Sequence, residues 1–315
     1  MAGHQDLPSA NELAAHSLDQ QHPLTRSWVP AAQRLSLLAT EHRMDIDLAV
    51  DPALATARRD RFGPEHPVDA FFNQWVQVSP DLSVMLSIRY EGGDPARPFV
   101  DVSALTRAAT SADIASVAEA TRARYGALGP RYLRWWSCER SGHYPNSSQD
   151  KRFLAAPVDQ LARTRVPAEL RLQRATAVEH YDEARQAYAQ VDTDHPEHPE
   201  QAVIEARADL ELACARGLLF DVVWHGSWAG YVAVARGHRL GLPGYKVAEL
   251  LLATSARGHG LGQFLTPLLA RHLLDRATTP APVLIGTIHA GNTGALRAAM
   301  RGGRHDVGGW VTAPL

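Results

Sequence analysis

Cysteine, lysine and long apolar runs are scarce in this chain of 315 residues. Cys138 and Cys214 are its two cysteines, too few for a disulfide framework or a four-cysteine zinc site. Two reduced thiols fit a cytoplasmic protein. No apolar stretch approaches the roughly 18 residues that a membrane-spanning helix needs. The start, Met1-Ala2-Gly3-His4-Gln5-Asp6, lacks a basic segment followed by an apolar one, so no signal peptide is expected. An excess of either charge is lacking too: Lys+Arg 32 against Asp+Glu 34 leaves a net charge of −2. Nucleic acid and membrane surfaces are therefore not expected partners, because both call for clustered positive charge. Lys151 and Lys246 are the only lysines, so almost every basic side chain is an arginine. What remains is ordinary globular material, 45% hydrophobic and 21% charged, with enough apolar mass for a sizeable core. At about 150 residues per domain the length predicts two domains.

The first 25 residues are polar and without period, and predict a loose arm. Trp28, Ala31, Leu35 and Leu38 share one helical face. Residues 45–67 are charged and broken by Asp51-Pro52 and Gly63-Pro64. Strands are expected over 71–78 and 82–90, joined by the turn Ser79-Pro80-Asp81, and again over 98–105. Ser111 is a candidate N-cap for a helix over 112–125, and 131–137 is a short aromatic strand. Residues 138–167, turn-rich and aperiodic, predict a linker. Beyond it the spacing predicts a strand over 168–176, helices over 177–191 and 200–216, and a hairpin of 218–224 with 228–235. A strand over 245–254, an amphipathic helix over 261–276, a strand over 283–289 and a helix over 293–301 follow. The domains so drawn are 1–137, an arm with an α/β body, and 168–315.

The informative run is Leu250-Leu251-Leu252-Ala253-Thr254-Ser255-Ala256-Arg257-Gly258-His259-Gly260-Leu261-Gly262. It is a hydrophobic strand, a turn with three glycines, and the start of an amphipathic helix. Glycine lets backbone approach a ligand with no Cβ in the way. The helix that follows presents unsatisfied N–H groups and the positive end of its dipole. Arg257 adds a charge, and together these suit a pyrophosphate. A dinucleotide fingerprint fails, because G-x-G-x-x-G counted from Gly258 or Gly260 meets Gln263 or Leu265 at the third glycine. A P-loop fails for want of a nearby lysine.

The order Arg257-x-x-Gly260-x-Gly262 between strand and helix resembles motif A of the GNAT acyltransferase superfamily, and Asn292 opening the last helix resembles its motif B. The resemblance covers residues 168–315. It implies a mixed α/β (α+β) fold, with a mostly antiparallel sheet flanked by helices. It implies acetyl-CoA as co-substrate, no metal, and N-acetyl transfer to a small-molecule primary amine by direct attack in a ternary complex, in a monomer or homodimer. In such a site Leu252, Ala253 and Thr254 offer backbone groups to the pantetheine arm between two splayed strands. Arg257, Gly258, His259, Gly260, Leu261 and Gly262 hold the pyrophosphate, and Asn292 lies near the pantetheine. Two departures from the family are plain. Ala299 stands where a Tyr often donates to the CoA sulfur, and a family Gly-Phe pair is Gly303-Arg304. Pro267 is expected to kink the cradle helix.

The chemistry needs a base for the amine's proton. Glu249 is the candidate, in the strand where the family often carries a catalytic Glu; the alternative is a strand carboxylate that is exposed or paired with an arginine. His225 and His289 are rivals. Asp192, Asp194 and Glu197 lie in a connection that covers the acceptor site in the family, and would attract a cationic amine, although acids also favour the first turn of a helix. His195 and His198 there are poor metal evidence by themselves. Residues 71–137 repeat the order of 218–289: hairpin, strand, loop, helix, strand. The first loop, Thr106-Arg107-Ala108-Ala109-Thr110-Ser111, has no glycine. The first half is thus expected to be a degenerate GNAT-like copy without CoA binding, or an unrelated α/β extension. Two other readings of the whole stand beside the amine acetyltransferase: acyl transfer from a carrier-protein thioester, and a non-catalytic module that binds CoA or a partner.

Overall fold

The computed structural model describes residues 7–194, 203–276 and 281–315. The chain forms two compact units, Met1–Lys151 with Gly308–Leu315, and Arg152–Val307.

The first unit opens with three helices, α1 (Ala10–Asp19), α2 (Ala31–Val50) and α3 (Pro52–Phe62). The loose arm is thereby corrected. Ser9 and Glu12 close a capping box on α1, and Leu13 is fully buried against Met85 and Ala104. Only the narrow stripe of Leu13, Ala14 and Leu18 turns inward, which a period search among polar residues does not register. Asp51-Pro52 starts a helix rather than breaking one. Asp51 accepts from the Ala53 N–H at 2.7 Å, and proline sits in the first turn, where its missing N–H costs nothing.

Three antiparallel strands follow, β1 (Gln74–Ser79), β2 (Leu82–Tyr90) and β3 (Pro98–Leu105). Helix α4 (Asp113–Tyr125) then crosses to β4 (Tyr132–Ser137), which lies parallel to β3. Ser111 does not cap α4: its hydroxyl donates to the His143 carbonyl. The stretch expected as a linker is folded, with β5 (Ser148–Pro157) and α5 (Val158–Ala162). Its buried core, Phe153 to Ala156 with Val158, is too short for a period to emerge.

The second unit continues with β6 (Leu170–Arg174), α6 (Tyr181–Asp194), α7 (Arg207–Ala215), β7 (Leu219–Trp224), β8 (Ser227–Arg239) and β9 (Leu242–Leu252). Then come α8 (Gly262–Leu274), β10 (Val283–His289), α9 (Thr293–Arg301) and β11 (His305–Pro314). Helix α7 starts later than expected, at Arg207. Helix α8 runs through the buried Pro267 as one element. Strand β11 is a second correction: it pairs antiparallel with β4, from Gly309↔Ser137 to Pro314↔Tyr132. The last residues, from Gly308 on, therefore belong to the first unit.

The strand order is β1-β2-β3-β4-β11 in the first unit and β5-β10-β9-β8-β7-β6 in the second. The fold is mixed α/β, with mostly antiparallel sheet flanked by helices; β3·β4 and β9·β10 are parallel. Alternation along β8 decides what covers each face. Val232 and Val234 pack with Leu265, Leu269 and Leu273 of α8. Tyr231 and Ala233 pack with Ala184 and Ala187 of α6 and Leu210 of α7. Each buried valine or leucine among these stabilises the unit by about 1.5–3 kcal/mol. The pairing of β7, β8, β9 and β10 across α8 recurs in β1, β2, β3 and β4 across α4. No helix of the described residues is long and apolar enough to cross a membrane.

Candidate functional site

Strands β9 and β10 pair at only three positions, Val283↔Gly244, Leu284↔Tyr245 and Ile285↔Lys246. Beyond them β9 continues to Leu252 and β10 to His289. A bulge accompanies the parting: Val234 pairs with Val247 and Ala233 with Glu249, so Ala248 is the extra residue and β9 bends there. The facing edges of the two strands thus carry backbone N–H and C=O groups outside their ladder.

The open end leads to the glycine loop. Gly258 (φ +79°) and Gly260 (φ +70°) are left-handed, a conformation that favours glycine. No heavy atom lies within 4 Å of the place where Gly258 would carry a Cβ. Helix α8 begins with no side-chain cap. The Phe264 amide turns back to the Leu261 carbonyl at 2.9 Å, which leaves the amides of Gly262 and Gln263, and the positive dipole end, facing the loop. Two of the expected loop residues also serve packing. A Cβ at Gly262 would stand 3.3 Å from Ala298 Cβ, and the Leu261 side chain is buried in the core. The His259 ring lies 4.6 Å from that of Trp224.

Arg257 is tied down. Its Nε donates to the Leu252 carbonyl at 3.1 Å and its Nη2 to the Ala187 carbonyl at 2.9 Å. It fastens the loop to β9 and α6, and burial lowers its pKa. The backbone of Leu252, Ala253 and Thr254 is also largely occupied, because the chain folds into a tight turn there. The Ala253 amide donates to Ala229, the Ala253 carbonyl accepts from Ala256, and the Thr254 carbonyl accepts from the Arg257 amide. Asn292 caps α9, its Oδ1 accepting from the Ala295 amide at 3.0 Å.

Glu249 is 2% exposed. Its carboxylate accepts from the Tyr188 hydroxyl, from the Leu250 N–H at 3.1 Å and from the Glu205 N–H at 3.3 Å. Neither exposure nor an arginine partner, the two ordinary readings of a strand carboxylate, describes it. Burial pushes its pKa up to about 7, against the pull of the hydroxyl and the two amides. Burial and the Glu249 charge also push Tyr188 up. In the sequence Tyr188 carries only the mark of a helix-face aromatic, so nothing there distinguishes it from packing.

A cleft of about 390 Å³ lies between α6 and the turn after β9, lined by Glu183, Gln186 and Gln190 together with Trp228, Thr254 and Ser255. His180 stacks on Trp228 with centroids 4.5 Å apart and reaches Glu183 at 3.4 Å. Asp192 and Asp194 are in the last turn of α6 rather than in a loop; Asp194 accepts from Gln190 Nε2 at 2.8 Å. Glu197, His195 and His198 lie outside the described residues. His225 occupies the β7–β8 turn with φ +49°, and His289 Nδ1 accepts from the Gly291 amide. Ala299 is buried on α9 and offers no side-chain donor. Among the described residues no cluster of three or more His, Cys, Asp or Glu side chains could hold a metal.

The equivalent position in the first unit is filled. Asp113 in the first turn of α4 accepts from the Thr110 amide and hydroxyl, each at 2.7 Å. Arg107 bridges Asp113 and Asp81 at 2.8 Å each. At the end of β3, Gln20 Nε2 donates to the Leu105 carbonyl at 2.7 Å.

No protein-family model matches this chain, and no curated protein matches it. Solved structures similar to it include three proteins of low identity. An acetyltransferase of the GNAT family from Colwellia psychrerythraea is 12% identical, with a TM-score of 0.46 over 83% of this chain and 96% of that one. A GCN5-related N-acetyltransferase from Kribbella flavida is 14% identical, with a TM-score of 0.40 over 84% and 95%. A tandem GNAT protein from the clavulanic acid biosynthesis pathway is 15% identical, with a TM-score of 0.44 over 98% and 97%.

Proposed function

We propose that the second unit binds acyl-coenzyme A, acetyl-CoA in the simplest case, and transfers the acyl group to the primary amine of a small molecule. The observation that carries this reading is the parting of β9 and β10 into an open, uncapped glycine loop. The resemblance of Arg257-x-x-Gly260-x-Gly262 to the GNAT motif supports it.

The residues present fit a pyrophosphate. Backbone at Gly258, His259 and Gly260 and the amides of Gly262 and Gln263 would hold it, with room above Gly258 that a Cβ would take. Arg257 holds the loop in shape through the two carbonyls it serves. The free edge of β9 beyond Lys246 would take the amides of the pantetheine arm. Acyl-coenzyme A, when bound, would supply a thioester carbonyl open to attack by nitrogen, with the coenzyme A thiolate as leaving group. An ammonium entering the cleft meets Glu183 beside His180. Glu249 would be the base that takes its proton, by way of Tyr188 Oη, which would gain a proton as its own passes to the carboxylate that already accepts it. A base with a pKa of about 7 suits this task near neutrality.

One observation favours a second reading. Ala299 gives no donor for the departing thiolate, which fits a module that binds CoA without turnover. Release of free thiol from acetyl-CoA, followed against a panel of primary amines, separates the two. Amine-dependent release is expected; tight CoA binding without release would replace the enzyme reading with the binding one.

A further inference from the structure

The cleft between α6 and the turn after β9 is lined mainly by uncharged polar side chains. Glu183, Gln186 and Gln190 stand at i, i+3 and i+7 of α6, so they share one face of that helix. Thr254 and Ser255 bring hydroxyls from the turn, and Trp228 brings an aromatic surface. The Trp228 ring is held in place: His180 stacks on it at 4.5 Å, and Tyr231 meets it edge-on at 5.3 Å. Among the described residues Glu183 is the one carboxylate of the lining, and no arginine or lysine lines the cleft. Arg257 donates to the carbonyl of Ala187, which belongs to the lining, but its guanidinium is spent there and on the Leu252 carbonyl.

Each part selects a chemical feature. The Glu183 carboxylate takes an ammonium and repels a second carboxylate or a phosphate, for which the lining holds no cation. Side-chain amides and hydroxyls both donate and accept, which is what a set of alcohol groups requires. Gln190 Nε2 is engaged by Asp194 at 2.8 Å, which leaves its amide oxygen to accept from an alcohol. A fixed indole offers apolar area to a saturated ring at little entropic cost. At about 390 Å³ the cleft lies near the lower end of the roughly 300–1,000 Å³ usual for small-molecule sites.

We propose that the acceptor is a hydroxylated ring amine without an acidic group, of the amino-sugar or aminocyclitol class, with Gln186, Gln190 and Trp228 as its specificity residues. The inference rests on the acyl transfer proposed above and names the amine that the same cleft selects. The C–N bond of the amide forms as the thioester C–S bond breaks. Of the two protons that the ammonium loses, one leaves through Tyr188 and Glu249, and the other matches the thiol of free coenzyme A.

The test follows thiol release from acetyl-CoA by the full chain with two matched pairs of amines. Cyclohexylamine is a ring amine without the hydroxyls of glucosamine, and lysine is cadaverine with a carboxylate added. The wild type is expected to favour glucosamine over cyclohexylamine, and cadaverine over lysine, by ~10-fold or more in kcat/KM, the worth of one or two hydrogen bonds or of one unpaired charge. Trp228→Leu and Gln186→Leu should each raise the KM for glucosamine ~3-fold or more, and Gln186→Leu should raise it more than that for cyclohexylamine. Gln186 is exposed, so Gln186→Leu should melt with the wild type and keeps the test readable if Trp228→Leu does not fold. Equal use of the two members of either pair, or a glucosamine KM that Gln186→Leu leaves unmoved, would overturn this inference and leave acyl transfer standing. If none of the four amines releases thiol, transfer to them fails, and calorimetry of glucosamine and cyclohexylamine into the full chain reads the cleft alone. Preferential binding of glucosamine that Gln186→Leu weakens would then uphold the amine class, and no such preference would overturn it.

Discussion

Glu249 and Asp113 both accept bonds from backbone amides, yet their titrations run in opposite directions. Asp113 is held well below the usual carboxylate range by the Arg107 side chain, with Thr110 adding to it. Its stabilisation is present above that usual range and is lost as the pH falls toward the lowered value. Glu249 is raised by burial to about 7, so its contribution is full below its ordinary value near 4.5 and is lost as pH rises through 7. Wild-type stability should therefore decline between about pH 5 and 8 by up to ~3 kcal/mol more than that of Glu249→Gln. Thermal melts across that range check this, and parallel curves for the two proteins would contradict it. Glu249 was legible in the sequence as an acid on the informative strand. Its partners were not, because Tyr188 and the Glu205 amide approach it from segments far apart along the chain.

Two helices of the same topological position differ at their N-termini. The first turn of α4 holds its own anion, the Asp113 carboxylate on Thr110 and Arg107; that of α8 has no side-chain cap. Asp113→Ala should cost about 1 kcal/mol, the usual loss of a helix-end carboxylate with its amide bond, read as a lower midpoint in urea. An unchanged midpoint would mean that the Arg107 bridge stabilises nothing. Elements with strong local periodicity, β2, β3, β10 and α9, stand where their spacing predicts. Those that depend on distant partners do not show. The apolar stripe of α1 is narrow, β5 is a short buried run, and β11 carries Gly308, Gly309 and Pro314 and finds its partner in β4, remote in sequence. The open glycine loop was legible, since glycine at 258 and 260 marks left-handed backbone. The commitment of Arg257 to two carbonyls was not, because motif spacing gives the residue and not its rotamer.

At the scale of the whole chain, one fold plan is used twice and one copy keeps an open cradle. The first unit repeats the strand pairing but fills the anion seat with Asp113, so under the proposed function one coenzyme A per chain is expected. The C-terminal strand belongs to the first unit, where Val311 and Ala313 join its core. Removal of residues 308–315 should therefore expose the edge of β4 and speed hydrogen exchange there, while coenzyme A binding by the second unit persists. Unchanged exchange in β4 would contradict the placing of β11. The central claim is the cradle itself, and titration calorimetry of coenzyme A into the full chain and into Gly260→Asp tests it most directly. The wild type should bind one coenzyme A per chain and the variant none, because a Cβ and a negative charge would then face the pyrophosphate; equal affinity in the two proteins would contradict the site.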